Sequence, residues 1–121
     1  MSGGVGVSYF VLYEGEAEDR IAFVDYYRTR HVAILRRWPG IQAVHLHTPI
    51  PSPDPMPTQS KNAFLLAQLV FASEADLARA LASPERAEAR ADMAHFPPFK
   101  AIVSHLPMAS ITPFDLRATE G

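Results

Sequence analysis

The chain has 121 residues, the length of one ordinary domain, with 48% hydrophobic residues, 20% charged residues and a formal net charge of −2. This balance excludes a disordered chain and permits a hydrophobic core. The absence of cysteine excludes disulfides, thiolate chemistry, iron–sulfur clusters and zinc–cysteine sites. The slightly negative charge argues against nucleic acid or an anionic membrane as the main partner.

The sequence also carries expectations about location. No apolar run approaches the roughly 20 residues that a membrane-spanning helix needs. Residues 1–4 lack the charged segment that opens a signal peptide. We therefore expect a cytoplasmic protein without membrane contact, formed by a single domain over residues 1–121 with a core at about 5–108.

The first third of the chain has the pattern of a strand, a long helix and a second strand. Val5–Tyr13 is rich in β-branched and aromatic residues, which predicts a strand. A helix follows Asp19 and ends at Pro39-Gly40. Ile41–Thr48 alternates and is predicted as the second strand. The apolar or aromatic stripe of the helix is predicted at Ile21, Val24, Tyr27, His31, Leu35 and Trp38.

A proline-rich segment separates this part from the second half. Five prolines between positions 49 and 57 exclude a helix or a central strand, so residues 49–62 are predicted to form an extended loop. The elements predicted after it are a strand at Ala63–Phe71, helices capped by Ser73 and Ser83 that end at Pro97-Pro98, a strand at Lys100–Met108 and a tail at 109–121.

The resulting order is β-α-β-β-α-β. This order predicts an α+β, ferredoxin-like fold, with a four-stranded antiparallel sheet and helices on one face. The third strand has apolar residues on both faces, with Leu65 and Leu69 on one and Phe64 and Leu66 on the other. Because two helices cover only one face of such a sheet, we predict a homodimer through sheet-to-sheet packing.

Several function classes lack their motifs. The sequence contains no G-x-x-x-x-G-K-[ST] loop and no G-x-S-x-G elbow. RNA-recognition domains share the predicted strand order, but their third strand carries basic, glycine and exposed aromatic residues. Ala63–Phe71 has no basic residue and no glycine, so we expect no nucleic-acid partner. Because the chain lacks a nucleotide-binding motif, we also expect no cofactor.

His31 is the leading candidate for a functional residue. It falls within the apolar stripe of the first helix, so its side chain is predicted to point at the sheet. A buried imidazole needs a partner for its ring nitrogens. One interpretation is a structural histidine bonded to Tyr27 or to a backbone carbonyl. The other is a general acid or base in a pocket between the helix and the sheet, kept neutral by burial.

Other polar residues in the strands are further candidates. His45 and His47 project from the same face of the second strand, and imidazoles in this pattern can bind zinc, copper or iron. A third ligand would have to come from His31, His105 or Asp54. We consider half-exposed histidines beside a loop the better interpretation, and predict no metal. Tyr9 and Gln68 are polar groups inside apolar strands, where either a core position or a pocket contact is possible.

Two blocks of the sequence resemble a known family. Residues 23–31 resemble the F-x-x-Y-[WY]-x-x-x-H signature that opens the first helix of EthD-type proteins. Residues 71–77 and 81–85 resemble the second block of that family, F-x-S-x-x-x-L followed by L-x-S-P-E. The similarity spans about residues 5–106. The loop at 49–57 is longer than in typical members and is a candidate lid or an arm to a partner subunit.

The resemblance carries expectations of its own. EthD-type proteins are dimeric α/β barrels, related to muconolactone-type isomerases, cofactor-free monooxygenases acting on polyketide quinols and fungal polyketide decarboxylases. In the enzymes among these relatives, the histidine of the first helix faces a pocket between sheet and helices. The resemblance thus implies the same position for His31.

We combine these observations in one working hypothesis. A cofactor-free enzyme would bind a small apolar ring compound, polyketide-like or a lactone, between the first helix and the sheet, and perform isomerase, decarboxylase or possible monooxygenase chemistry. The predicted catalytic residues are His31, Tyr27 and His47. The predicted substrate contacts are Tyr9, Val24, Trp38, His45, Gln68 and Phe96. The alternatives are a non-catalytic binding protein with the same pocket and a structural or stress-response dimer without a cavity.

Overall fold

The computed structural model describes residues 6–56 and 62–117. These residues form one antiparallel sheet with the strand order β2-β3-β1-β4 and helices against one face. The strands are β1 (Gly6–Ala17), β2 (Ile41–His47), β3 (Ala63–Phe71) and β4 (Phe99–Ser110). The helices are α1 (Arg20–Tyr26), α2 (Val32–Leu35), α3 (Glu74–Leu81) and α4 (Pro84–Asp92), the last followed by a 3₁₀ turn at Met93–His95. The α+β, ferredoxin-like prediction is confirmed.

Side-chain caps begin the helices at the predicted serines. The Ser73 hydroxyl accepts a hydrogen bond from the backbone N–H of Asp76 at the start of α3. The Ser83 hydroxyl does the same for Arg86 at the start of α4, with proline in the first helical position. Asp19 caps α1 in the same way, since its carboxylate accepts from the N–H of Ala22.

A π-helical turn at Tyr27–His31 joins α1 to α2, so the first helix runs without a break from 20 to 35. The backbone N–H of Val32 donates to the carbonyl of Tyr27, a bond that spans five residues. The buried residues of the helix follow a spacing of four: Phe23, Tyr27, His31 and Leu35. In a regular α-helix this spacing drifts by about 40° per step. The wider turn reduces the drift and keeps all four side chains on the sheet.

The predicted stripe is therefore wrong at its beginning. Ile21 is 85% exposed, and Val24 lies on the outer surface beside Arg28. Phe23, which is 1% exposed, takes the core position instead. The sequence allows either Ile21 and Val24 or Phe23 to face the sheet, because all three residues are apolar. Packing against the sheet decides between these two rotations of the helix.

Alternation along the strands divides the sheet into two faces. Tyr9, Val11 and Tyr13 of β1 are buried under the helices. The opposite face, which we call the open face, carries the half-buried Phe10, Leu12, Leu66, Val70 and Leu106. The predicted alternation puts Phe64 on the same face as Leu66, which is wrong. A bulge opposite Tyr13 and Glu14 gives β3 one extra residue, and Phe64 turns into the core against Tyr13 and Phe23.

The strands β1 and β4 pair over their whole length and come very close at Gly15. A Cβ at this position would overlap the carbonyl oxygen of Lys100, and the backbone φ of +151° is one that only glycine adopts without strain. The pairing extends β4 to Ser110, two residues beyond the predicted end of the strand at Met108.

The remaining predicted segments are only partly described. Residues 48–56 form no helix or strand, as expected for the proline-rich loop. The rest of that loop at 57–61, the first predicted strand residue Val5 and the end of the tail at 118–121 lie outside the described residues. Among the residues that are described, no helix combines the length and apolarity needed to cross a membrane.

Candidate functional site

A cavity of about 100 Å³ lies between the first helix, α4 and the helix-covered face of the sheet. Most of its wall is apolar or aromatic, with Tyr27 and Leu35 from the helix and Val11 and Leu69 from the strands. Its lining residues with a polar group are Tyr9, Tyr13, Tyr27, His31, Trp38, Arg86, Arg90 and His105. No aspartate or glutamate is among the described lining residues, so the polar groups of the wall are mainly hydrogen-bond donors.

His31 is 4% exposed and is held by a carboxylate from the opposite helix. Its Nδ1 lies 2.9 Å from Oδ2 of Asp92 at the end of α4. The other carboxylate oxygen of Asp92 accepts a hydrogen bond of 2.8 Å from the Tyr26 hydroxyl. Because α1, the π turn and α4 pack side by side, residues 61 positions apart in the chain form one hydrogen-bonded group.

The charge state of this group follows from its surroundings. Burial lowers the pKa of His31, and the opposing effect of Asp92 does not outweigh it. Burial alone would raise the pKa of Asp92, but the hydrogen bonds from His31 and Tyr26 outweigh that effect and lower the pKa. Near neutral pH, Asp92 is therefore ionised and His31 is neutral. An ionised carboxylate only accepts, so Nδ1 of His31 carries the proton and Nε2 is left as a basic nitrogen.

Aromatic rings fix the orientation of the His31 imidazole. Its centroid lies 4.6 Å from the ring of Tyr27 and 4.8 Å from that of Phe96, which meets it edge to face. Phe96 was predicted as a substrate contact, but it is not among the residues that line the cavity. It packs against His31 and the core ring of Phe23 instead, so we assign it a positioning role.

Two tyrosines of the wall are held in the protonated form. Burial raises the pKa of Tyr27 well above its ordinary value, and interaction with Tyr13 raises it further. Burial raises the pKa of Tyr13 to about 12, despite an opposing contribution from Tyr27. Neither hydroxyl ionises near neutral pH. Tyr27 therefore offers a neutral hydroxyl and an aromatic wall, and does not act as a base.

The cavity also contains a buried donor without an acceptor. Trp38 is 5% exposed, and its indole Nε1–H is fully buried with no hydrogen-bond partner among the described residues. Leaving such a donor unsatisfied costs free energy, on the order of 1–3 kcal/mol. Trp38 lines the cavity together with Tyr9, and the two rings lie 6.4 Å apart.

The predicted residues from the second strand lie elsewhere. His45 and His47 pair with Gln68 and Leu66 of β3, and these positions belong to the open face. His47 Nε2 lies 3.1 Å from the Gln68 side-chain oxygen, and Gln68 donates to the Ser8 hydroxyl over 3.1 Å. The sheet separates this hydrogen-bonded row from His31, so the expected pairing of His31 with His47 does not occur.

The remaining sequence predictions concern Val24 and a metal. Val24 faces outward from the first helix and does not reach the cavity. Within the described residues, no group of three or more histidine, aspartate or glutamate side chains is arranged to bind a metal ion. The alternating histidines of β2, with ring centroids 6.4 Å apart, have no third ligand from that part of the chain.

Sequence reasoning missed most of the contribution of α4. Asp92, Arg86 and Arg90 were not singled out, because the helix reads as a polar, solvent-facing segment. A signal was present, however, since the lining residues Arg86, Ala89, Arg90 and Met93 recur at helical spacing. His105 was considered only as a metal ligand. It lies on β4 opposite Val11, on the helix-covered face, at the exposed side of the cavity.

The arrangement provides the parts needed for proton transfer. A neutral histidine with its second nitrogen held by a carboxylate can accept a proton and return it. Indole, tyrosine and guanidinium donors on the same cavity can stabilise a developing oxyanion. The apolar wall would keep water from the reacting atoms.

The fold is shared with solved structures of enzymes. A hydroxynitrile lyase from Passiflora edulis covers 91% of this chain and 97% of its own, with 14% identity and a TM-score of 0.66. A monooxygenase from Streptomyces coelicolor, solved with the ligand nanaomycin D, covers 91% of both chains with 15% identity and a TM-score of 0.64. Similar structures also include dimeric ferredoxin-like proteins. At these identities the similarity shows the fold alone.

The family follows from the sequence comparisons, and a solved structure of that family shares the fold. An EthD family protein from Bacillus halodurans covers 88% of this chain and 99% of its own, with 19% identity and a TM-score of 0.69. An uncharacterised 11.0 kDa protein from the thcB–thcC intergenic region of Rhodococcus erythropolis is 33% identical over 78 residues, which are 64% of this chain and 72% of that protein. The EthD domain model matches residues 16–97. The chain belongs to the EthD domain family.

Proposed function

We propose that this protein is a cofactor-free enzyme that moves a proton on a small carbonyl compound, an isomerase in the first instance. The observation that carries the proposal is the hydrogen bond of 2.9 Å between a buried, neutral His31 and an ionised Asp92 at the edge of a cavity. Structural histidines are more commonly satisfied by a backbone carbonyl. An ionised partner increases the basicity of the free nitrogen, which is what a general base needs.

The proposed reaction uses only residues of this chain. Nε2 of His31 removes a proton from the carbon beside a carbonyl group, so the C–H bond breaks and an N–H bond forms. The electron pair passes to the carbonyl oxygen, which becomes an enolate. The hydroxyl of Tyr9, a residue of the cavity wall, donates a hydrogen bond to this oxygen. In a substrate with a carbon–carbon double bond next to the enolate, the electron pair returns from the oxygen, the double bond moves one position, and the far carbon takes the proton from His31. A new C–H bond forms, the N–H bond breaks and the histidine is neutral again.

Deuterium exchange tests this step without knowledge of the natural substrate. Single-ring ketones and unsaturated lactones are incubated with the protein in D₂O, and loss of the proton beside the carbonyl is followed by NMR. We expect exchange with wild type and a loss of about 10²–10⁴-fold in His31→Gln, the usual contribution of a general base. Asp92→Asn should lose at least tenfold, because it no longer fixes the tautomer.

The matched control for this experiment is His45→Gln, which removes an exposed histidine from the open face. It should exchange at the wild-type rate. Equal rates in wild type and His31→Gln would contradict the proposal.

One observation favours a second candidate, a binding protein without turnover. The pair of histidines expected from the sequence, His31 and His47, is split between the two faces of the sheet. On this alternative the cavity binds the same compounds, and Trp38 responds to them, but no deuterium enters. The exchange experiment therefore separates the two candidates.

We also propose that the protein forms a homodimer through the open face of the sheet. The support is a row of apolar side chains on that face, among them Phe10, Leu12, Leu66 and Leu106, that no element of the described chain covers. The dimeric ferredoxin-like proteins among the similar structures agree with this proposal.

A further inference from the structure

Two arginines line the cavity without a carboxylate partner. Arg86 donates to the carbonyl oxygen of Leu81 over 3.4 Å and to the hydroxyl of Tyr9 over 3.3 Å, and both acceptors are neutral. Arg90 follows one helical turn later and also lines the cavity. Among the described residues, no ion pair includes either arginine. Two like charges at this spacing repel each other, so an anion between them would be favourable.

Two of the three acidic residues of α4 are engaged elsewhere, and the charge of the third, Glu85, acts on Arg37. Glu88 forms two hydrogen bonds with Arg37, of 3.0 and 2.8 Å. Asp92 accepts from Tyr26 and His31. Glu88 and Asp92 therefore point to other partners, and among the described residues none of the three carboxylates of α4 forms an ion pair with Arg86 or Arg90.

The positive charge of the two arginines also affects His105. His105 lies across the cavity mouth on β4, with its ring 5.8 Å from that of Tyr9. Partial desolvation lowers the pKa of His105, and the charges of Arg86 and Arg90 lower it further. His105 is thus neutral near neutral pH, and the positive charge on this side of the cavity comes from the two guanidinium groups.

From this arrangement we propose that the substrate is a small carboxylate, whose acid group binds Arg86 and Arg90 while its reacting carbon faces His31. The orientation toward His31 rests on the proposed function, whereas the binding of the acid group rests on the arginines alone. Guanidinium groups match carboxylates in charge and in geometry, and partial burial of Arg86 strengthens the interaction.

The size of the cavity limits the rest of the substrate. An engineered cavity of about 150 Å³ holds a benzene molecule, and this cavity is about 100 Å³ and reaches the surface at the exposed Arg90 and His105. A short chain fits inside, and a single ring fits when part of it extends with the acid group into the open mouth. A fused polycyclic compound would require the walls to move apart. Loss of the acid group as carbon dioxide would break its ion pairs with the two arginines, which favours isomerisation over decarboxylation.

The single tryptophan of the chain gives a direct binding assay. Trp38 lines the cavity, so its fluorescence reports occupancy without another signal. Two probes of equal shape, cyclohexanecarboxylate and cyclohexanecarboxamide, differ in charge and do not absorb in the fluorescence range. We expect the carboxylate to bind the wild-type protein at least tenfold more tightly than the carboxamide.

Variants assign the binding to the arginines. Arg90→Gln, at an exposed position that is safe for folding, and Arg86→Gln should each raise the Kd of the carboxylate at least tenfold. Arg36→Gln removes the same charge from an exposed position outside the cavity and should leave the Kd unchanged. Equal Kd values for the two probes, or an unchanged Kd in Arg90→Gln, would overturn the inference. Competition by inorganic phosphate at a lower concentration than the carboxylate would also overturn it, in favour of a phosphate site.

The same variants separate this inference from the proposed function. His31→Gln should keep the preference for carboxylate over carboxamide while losing deuterium exchange. If His31→Gln exchanges normally but Arg90→Gln loses the preference, the base is wrong and the carboxylate site stands. If the exchange depends on His31 but the two probes bind equally, His31 is the base and the proposed carboxylate site is wrong.

Discussion

At the scale of single residues, His31 combines two features that an ordinary core histidine does not have together. It is buried deeply enough to remain neutral, and its partner is an ionised carboxylate. Burial alone would give an inert ring, and an exposed pair would be screened by water. The combination holds one tautomer in place and leaves Nε2 basic. This is the physical reason for assigning proton transfer to His31 and not to Tyr27.

The lowered pKa of His31 predicts how stability depends on pH. Below about pH 6.5 the unfolded chain binds a proton at this histidine more readily than the folded chain does. The free energy of unfolding should therefore be highest above pH 6.5, where this histidine is neutral in both states, and should fall as the pH drops toward 5. His105, with its pKa also lowered, acts in the same direction. His31→Gln should therefore reduce, but not abolish, the dependence of the free energy of unfolding on pH.

Urea unfolding at pH 7.5, 6.5, 5.5 and 5.0 measures the effect. His45→Gln, which removes an exposed histidine, is the control and should keep the wild-type slope. A slope in His31→Gln as steep as in wild type would contradict the assignment of a neutral, buried His31.

Sequence alone identified His31 because a polar residue interrupts an apolar helical stripe, which is a local signal. Asp92 could not be found this way, since its relation to His31 depends on how two helices pack. A second limit of the sequence concerns the face of the sheet on which His45, His47 and Gln68 lie. Alternation tells which residues share a face, but the choice between the helix-covered and the open face depends on strand pairing.

At the scale of secondary structure, the π turn at Tyr27–His31 determines the geometry of the site. It places Tyr27 and His31 on the same side as Phe23 and Leu35 despite a spacing of four residues. Spacings of four, three and four would keep the same side chains on the sheet in a regular α-helix. Deletion of one exposed residue within the turn should therefore preserve the helix and its buried side. It should nevertheless shift the His31 ring relative to Asp92, because a turn with one residue fewer changes the position of residue 31 along and around the helix axis.

We predict that deletion of Arg30 leaves a folded protein with unchanged far-UV circular dichroism but lowers deuterium exchange at least 10²-fold. The displaced imidazole would lose its bond to Asp92, and its pKa measured by NMR should change. Arg30→Ala is the control, because it removes the same exposed side chain and keeps the turn. Full exchange in the deletion variant would show that the π turn has no part in positioning His31.

The composition of α4 explains why Arg86 and Arg90 were not predicted as cavity residues. Its residues are mostly charged or alanine, a composition typical of a helix facing solvent. Arg86 and Arg90 line the cavity only because α4 packs beside the first helix, an arrangement that the Arg37–Glu88 and His31–Asp92 pairs join at two points. The caps and lengths of the helices were predictable from local chemistry, whereas their mutual packing was not.

At the scale of the whole molecule, the sheet has one face under helices and one face open. The open face carries apolar side chains from β1, β3 and β4, and the row of His47, Gln68 and Ser8 borders them. The cavity opens on the opposite side of the sheet. Dimerisation through the open face would therefore leave both cavities accessible, one on each outer surface of the dimer.

The homodimer gives a prediction with a closely matched control. Ile102 of β4 pairs with Glu14 on the open face and is 71% exposed, whereas Ile21 on the outside of α1 is 85% exposed. Both substitutions to glutamate add one charge at an exposed isoleucine. Because a buried, unpaired charge opposes association, Ile102→Glu should shift the protein from a dimer toward the 13.3 kDa monomer in sedimentation experiments. Ile21→Glu should remain dimeric. A monomeric wild type, or dissociation by Ile21→Glu alone, would place the contact elsewhere or exclude it.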